Sequence, residues 1–244
     1  MKSSGRAGSE APSHYRRRFG PILGAASATM STQLAIVGHS GRIRNMKSEN
    51  PERRVGLLGG SFNPPHICHV LASLYLVETD CVDEVWWLPV HRHAFEKDRE
   101  LRPFVDRVAL CEAAVHDHPA LTVSLVEASL GERSRTIDTV AALRGAHPQH
   151  QFTWIVGSDL LAELPSWHRW DELREQVRFL VLGRGAEVPA SELPKGGDFV
   201  VRDFQLPDIS SSMIRERLAQ GADVSAWVPA SILALLRGNP GLYR

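Results

Sequence analysis

From Arg53 onward the sequence alternates short apolar runs with segments of helical spacing, and this alternation constrains its fold more than any other feature. Runs of this length, bounded by turn residues, predict strands, the first of them buried and the third alternating. They fall at 55–58, 84–88, 121–126, 152–156, 178–182 and 199–202. Between the first two, Val70, Leu71, Leu74 and Val77 predict a helix over 66–79. Val105, Val108, Ala109 and Ala113 form the apolar face of a helix whose first turn suits Pro103. A short helix over 136–143 is ended by Gly145 and Pro148, and helices over 210–218 and 229–236 close the chain. Residues 91–101 are polar and read as a loop. Strand–helix alternation requires crossover connections, so the predicted class is α/β: a doubly wound, mainly parallel sheet with helices on both faces. Such sheets bind ligands beyond the carboxyl ends of their strands, where the strand order reverses.

Residues 53–244 read as one domain without internal repeats, and residues 1–50 as a disordered extension. Residues 1–45 hold a single acid, Glu10, together with the run Arg16-Arg17-Arg18. That composition buries too little apolar surface to fold. Arg17-Arg18 faintly resembles a twin-arginine signal, but the apolar stretch after it is broken by Ser, Thr and Gln. Met30 or Met46 as the true start is the plainer reading. The chain carries 28 basic and 28 acidic residues, so no global excess points to nucleic acid or a membrane surface. Three cysteines without a C-x-x-C pair suggest a reducing, cytoplasmic setting. No apolar run reaches the roughly 18–20 residues that span a bilayer.

The chemistry concentrates in two segments. Gly59-Gly60-Ser61-Phe62-Asn63-Pro64-Pro65-His66-Ile67-Cys68-His69 directly follows the first strand. Two glycines let a backbone turn approach a ligand and expose N–H groups, and a helix N-terminus beyond them favours an anion. His66 and His69, three apart, share a helix face and can stabilise charge on phosphate oxygens. The plainer alternative is a tight turn with surface histidines. A metal held by His66, Cys68 and His69 is a further alternative, weakened because adjacent side chains on a helix diverge. The second segment, Ile209-Ser210-Ser211-Ser212-Met213-Ile214-Arg215, supplies hydroxyls and a guanidinium at another helix start. Ordinary capping by Ser210, Ser211 or Ser212 explains the serines alone. Arg215 adds a planar fork suited to phosphate.

Together these segments resemble the nucleotidyltransferase superfamily marked by H-x-G-H and I-S-S-[ST]-x-x-R motifs. Within it the chain resembles the bacterial nicotinate-nucleotide adenylyltransferases. Residues 59–69 match the opening G-G-[ST]-F-[DN]-P-x-H-x-G-H at all but one fixed position, where Cys68 replaces a glycine. Ser134-Arg135-Thr136-Ile137-Asp138-Thr139 is similar to S-Y-T-x-x-T, with Arg135 in place of tyrosine. Gly157-Ser158-Asp159 followed by Trp167 is similar to G-x-D…W, and Gly183-Arg184-Gly185 lies where R-P-G would fall. The ending Gly241-Leu242-Tyr243-Arg244 fits as well, so the match covers roughly 53–244.

The resemblance implies a Rossmann-like fold and transfer of AMP from ATP to nicotinate mononucleotide, with Mg²⁺ accompanying the ATP. A homo-oligomer is compatible with it. It implies His66, His69 and Arg215 as catalytic residues. Gly59, Gly60, Ser61, Phe62, Gly157, Asp159, Ile209, Ser211 and Ser212 would bind ATP. Thr136, Trp167 and Arg135 would bind the mononucleotide, Trp167 either by stacking or as a core aromatic. His93 and Lys97 are weaker candidates for the substrate phosphate. Cys68 adds a small side chain where the adenine or ribose would lie, and Arg135 a cation that would either help bind a carboxylate or phosphate or shift substrate choice. The alternatives are the same chemistry on nicotinamide mononucleotide or another phosphate substrate, and a non-catalytic nucleotide sensor.

Overall fold

Parallel pairing runs through the whole sheet. A computed structural model describes residues 52–91, 101–131, 135–184, 188–239 and 241–243. Residues 1–50, His93, Lys97, Ser134, Gly185 and Arg244 lie outside the described residues. The strands are β1 (Arg54–Gly60), β2 (Glu84–Pro89), β3 (Leu121–Val123), β4 (Gln151–Gly157), β5 (Arg178–Arg184) and β6 (Phe199–Leu206). Their order is β3-β2-β1-β4-β5-β6, and every neighbouring pair is parallel. The order reverses between β1 and β4, which places the predicted ligand edge beyond Gly60 and Gly157.

Helices cover both faces: α1 (Ile67–Glu78), α2 (Phe104–Val115), α3 (Val126–Ser129), α4 (Thr136–Ala146), α5 (Trp170–Gln176), α6 (Ser211–Ala219) and α7 (Ala230–Gly238). Successive strand residues point to opposite faces. Val55, Leu57, Trp86, Leu88, Trp154, Phe179 and Val181 pack with Ile137, Val140 and Leu143 of α4 and Leu173 of α5. Val85, Trp87, Ile155, Leu180 and Leu182 pack on the other face with residues of α1, α2, α6 and α7. The apolar runs are therefore continuous because both faces are buried. Each large side chain so buried contributes about 1.5–3 kcal/mol.

Four elements depart from expectation. The first strand does not stop at Leu58. Gly59 and Gly60 remain in β1, paired with Leu88 and Pro89, so they form no turn. Gly59 is required for space: a Cβ there would lie 2.8 Å from Cζ2 of Trp154. β3 ends at Val123 rather than 126, because the Ser124 N–H donates to the Trp87 carbonyl at 2.8 Å and the chain then coils into α3. β6 extends to Leu206 through a register shift opposite Leu182 and Gly183. α5 went unforeseen; it is seven residues long and starts from Arg169, whose left-handed backbone (φ 54°) is held by a side-chain bond to Glu172 at 2.8 Å. Among the described residues no helix is long and apolar enough to cross a membrane.

After α4, His147 and His150 are buried with their rings edge-on to Trp86, at 5.1 and 6.0 Å. Burial pushes both imidazoles below their ordinary range, and the charge of His150 lowers His147 further. The unfolded chain therefore takes up protons below pH ~6.5 that the folded chain refuses, and stability falls as pH falls through that point. The melting temperature is expected to drop between pH 7 and pH 5.5. His150→Gln should flatten that slope in a calorimetric pH series.

Candidate active site

The chain crosses from β1 to α1 through residues 61–66, and this short crossing carries the site. Phe62 turns it with a left-handed backbone, φ 46°, a rare conformation for a bulky residue. Its ring is fully buried and stacks on Trp87 with centroids 5.0 Å apart and planes within 8°. The next peptide, Asn63–Pro64, is cis. Side chains from distant elements hold the crossing by its carbonyls. Arg107 of α2 donates to the Ser61 carbonyl at 2.8 Å, to Val90 at 2.7 Å and to Arg102 at 3.0 Å. From α6, Arg215 donates to the Asn63 carbonyl at 3.1 Å, and the Ser211 hydroxyl donates to Pro64 at 2.7 Å. The backbone N–H of Arg102 donates to Asn63 Oδ1 at 3.2 Å.

His66 is the N-cap of α1 and His69 lies in its first turn. Their rings sit 3.7 Å apart, as the three-residue spacing requires. The His66 backbone N–H donates to Nδ1 of His69 at 3.0 Å. Nδ1 is thus an acceptor, and the ring proton belongs to Nε2. Two further donors of this helix end have internal partners. The Ile67 N–H bonds the Trp227 carbonyl at 2.9 Å, and the His69 N–H bonds the His66 carbonyl at 3.0 Å. Internal bonds therefore take up the backbone N–H groups of His66, Ile67 and His69 at this N-terminus.

The second motif meets the first on the same crossing. Ser210 caps α6, its hydroxyl accepting the Met213 N–H at 3.2 Å. Arg215 also donates to the exposed Ser212 Oγ at 3.2 Å, so one guanidinium bonds both Ser212 and the crossing. Ile209 is half-buried against the core. At the end of β4, Gly157 leads into a 3₁₀ turn, Ser158–Leu160, that exposes Asp159. A second 3₁₀ turn, Leu164–Ser166, ends at Trp167, which is half-buried and meets Trp154 edge-on at 6.4 Å. The Trp154 ring also crosses Gly59, so a single indole links Trp167 to the end of β1. Arg135 is the N-cap of α4 and Thr136 its first residue, both half-buried. Glu127 of α3 steadies this helix start, accepting from the Thr139 hydroxyl at 2.5 Å.

Two expected ligand contacts are corrected. Phe62 cannot touch a nucleotide with its ring, which the core encloses. Cys68 does not crowd the site: it is 2% exposed, and its thiol lies 3.5 Å from the Pro207 carbonyl under the β6–α6 connection. The same placement turns Cys68 away from the two histidines, so the three side chains do not form a metal set. Arg107 was missed. Its signal lies in the spacing, because Arg107, Leu110, Cys111 and Ala114 form one buried stripe of α2 with an arginine in an apolar position.

A family model described as cytidylyltransferase-like matches residues 57–217. A protein of Anaeromyxobacter sp. (strain K) named probable nicotinate-nucleotide adenylyltransferase is 41% identical over 198 residues, covering 79% of this chain and 97% of its own. One of the same name from Myxococcus xanthus (strain DK1622) is 40% identical over 195 residues, covering 79% and 96%. In fold the chain is similar to Plasmodium falciparum nicotinic acid mononucleotide adenylyltransferase complexed with NaAD. That structure has a TM-score of 0.68, with 19% identity, 79% of this chain and 99% of the other covered.

Arg107 supplies the test of this geometry. Arg107→Met leaves the carbonyls of Ser61, Val90 and Arg102 without this donor in the interior, at about 1–3 kcal/mol for each group left unsatisfied. Loss of at least about 3 kcal/mol is expected in a urea titration. Arg107→Lys should recover only part of it, because an ammonium cannot span three carbonyls as a planar fork does.

Proposed function

The chain belongs to the cytidylyltransferase-like family and, within it, to the nicotinate-nucleotide adenylyltransferases, and we propose that it joins nicotinate mononucleotide to the AMP moiety of ATP, releasing pyrophosphate, as a step of NAD synthesis. A 5′-phosphate oxygen of the mononucleotide attacks the α-phosphorus in line. The new phosphoanhydride forms as the bond to the β-phosphate oxygen breaks. The nucleophile is already an anion, so positioning and charge stabilisation carry the catalysis. A divalent cation such as magnesium would accompany the triphosphate and offset its charge, held mainly by the substrate and water.

The observation that carries this reading is the convergence of both motifs on residues 61–66 at the switch point, with the two imidazoles in contact. Nε2–H of His69 donates to a phosphate oxygen of the reacting centre, beside His66. Ser212 and Arg215 hold the β- and γ-phosphates, while Ser211 holds the crossing itself. Gly59, Gly60 and Ser61 offer backbone to the nucleotide, and Gly157 and Asp159 flank the adenosine ribose. Trp167 stacks on the pyridine ring. The substrate carboxylate lies at the N-terminus of α4, where the Thr136 N–H and the helix's partial positive charge favour an anion. Arg135 at the cap strengthens that preference for an anion.

Pyrophosphate release with ATP and Mg²⁺ should be strong with nicotinate mononucleotide and weak with nicotinamide mononucleotide at equal concentration. Release with neither would overturn the reading. His69→Ala should lower kcat by about 10²-fold or more while the KM for ATP changes little. An unchanged kcat would remove His69 from the mechanism.

A further inference from the structure

Trp87 lies in the middle of β2, fully buried, one layer beneath the histidines. Three of its contacts converge on His69. Its indole N–H donates to the Ser73 hydroxyl at 2.8 Å, and that hydroxyl donates to the His69 carbonyl at 2.8 Å. Its ring face seats Phe62, whose own ring meets the His69 imidazole at 4.9 Å. Its ring edge reaches the same imidazole, with centroids 5.9 Å apart and planes at 61°.

Each contact fixes a different freedom. The Trp87–Ser73 pair anchors the first turn of α1 at the carbonyl of His69. The stack on Phe62 supports a residue whose left-handed backbone, φ 46°, is intrinsically disfavoured and must be held by its surroundings. The aromatic contacts limit rotation of the imidazole, so the His66 N–H finds Nδ1 and the Nε2 proton points one way. An oriented donor stabilises developing charge only if it is already in place when the charge appears.

We infer that Trp87 and Ser73 are positioning residues for His69, setting its ring orientation and tautomer from the core without touching substrate. The inference rests on the adenylyl-transfer reading for its kinetic consequence, though not for its structural one. A displacement of about 1 Å at a reacting group costs up to about 10²-fold in rate.

Trp87→Phe keeps a ring face for Phe62 and removes the N–H donor. Ser73→Ala removes the hydroxyl between indole and carbonyl. For the full-length chain, at a temperature where circular dichroism shows each variant folded, kcat should fall about tenfold in both. The KM for nicotinate mononucleotide should change less than about twofold, because its pocket is elsewhere. In a His69→Ala background either substitution should lower kcat by less than about twofold further, since no oriented imidazole remains to be lost. A wild-type kcat in both variants, or a full further loss in that background, would overturn the inference. Long-range ¹H–¹⁵N correlation of the histidine rings gives a readout independent of turnover. The wild type should show the Nε2–H tautomer for His69, and Trp87→Phe a mixture. An unchanged tautomer in both variants would sink the positioning role even if the wild type failed to use nicotinate mononucleotide, which would instead refute the proposed reaction.

Discussion

The crossing between β1 and α1 exposes its carbonyls to the interior, and these need donors that the crossing itself cannot supply. Strand and helix ladders satisfy backbone groups locally, but six residues that turn through a left-handed Phe62 do not. The donors come instead from the side chains of Arg107, Arg215 and Ser211, on α2 and α6. A buried carbonyl without a partner costs about 1–3 kcal/mol, so three side chains on two distant helices are tied to one short segment by the same requirement. That is why the two sequence motifs, some 140 residues apart in the chain, meet at one place.

The division of labour follows. Ser211 and Arg215 belong to a motif associated with phosphate, yet here they also build the crossing that bears the histidines. A charged fork can do both, because Arg215 spends one amino group on the Asn63 carbonyl and another on Ser212. The two motifs are therefore tied together by bonds within the protein itself. The N–H groups of His66, Ile67 and His69 have internal partners, so the start of this helix is bound into the fold by its own backbone.

Much of this was legible in the sequence. The sheet class, six strands, the switch-point location and the shared face of His66 and His69 follow from periodicity, because a sheet buried on both faces writes its strands as unbroken apolar runs. Boundaries were less legible where tertiary contacts set them. Gly59 and Gly60 resemble a turn locally, and only the Trp154 ring across Gly59 explains why glycine stays in a strand. The α5 helix has a single buried stripe of Trp170 and Leu173 among charges, too short for its period to register. Within the site, the motif residues were visible as residue types, but their supports were not. Trp87 looks like any apolar strand residue, and only the fold reveals that its N–H reaches Ser73 fourteen positions earlier.

Cys68 shows how helix geometry can absorb a departure from a motif. At about 100° per residue, positions 66 and 69 face one way and position 68 is turned from both toward the sheet. A side chain there takes no space from the site. It fills the gap under the connection from β6 to α6, where the Pro207 carbonyl accepts from its thiol. Pro207 precedes the Ile209–Arg215 segment by two residues, so the cysteine adds a contact between the helix bearing the histidines and the chain leading to Arg215. The substitution at the motif's one variant position therefore joins the two motif segments from within the core, where the Cys68 side chain is 2% exposed.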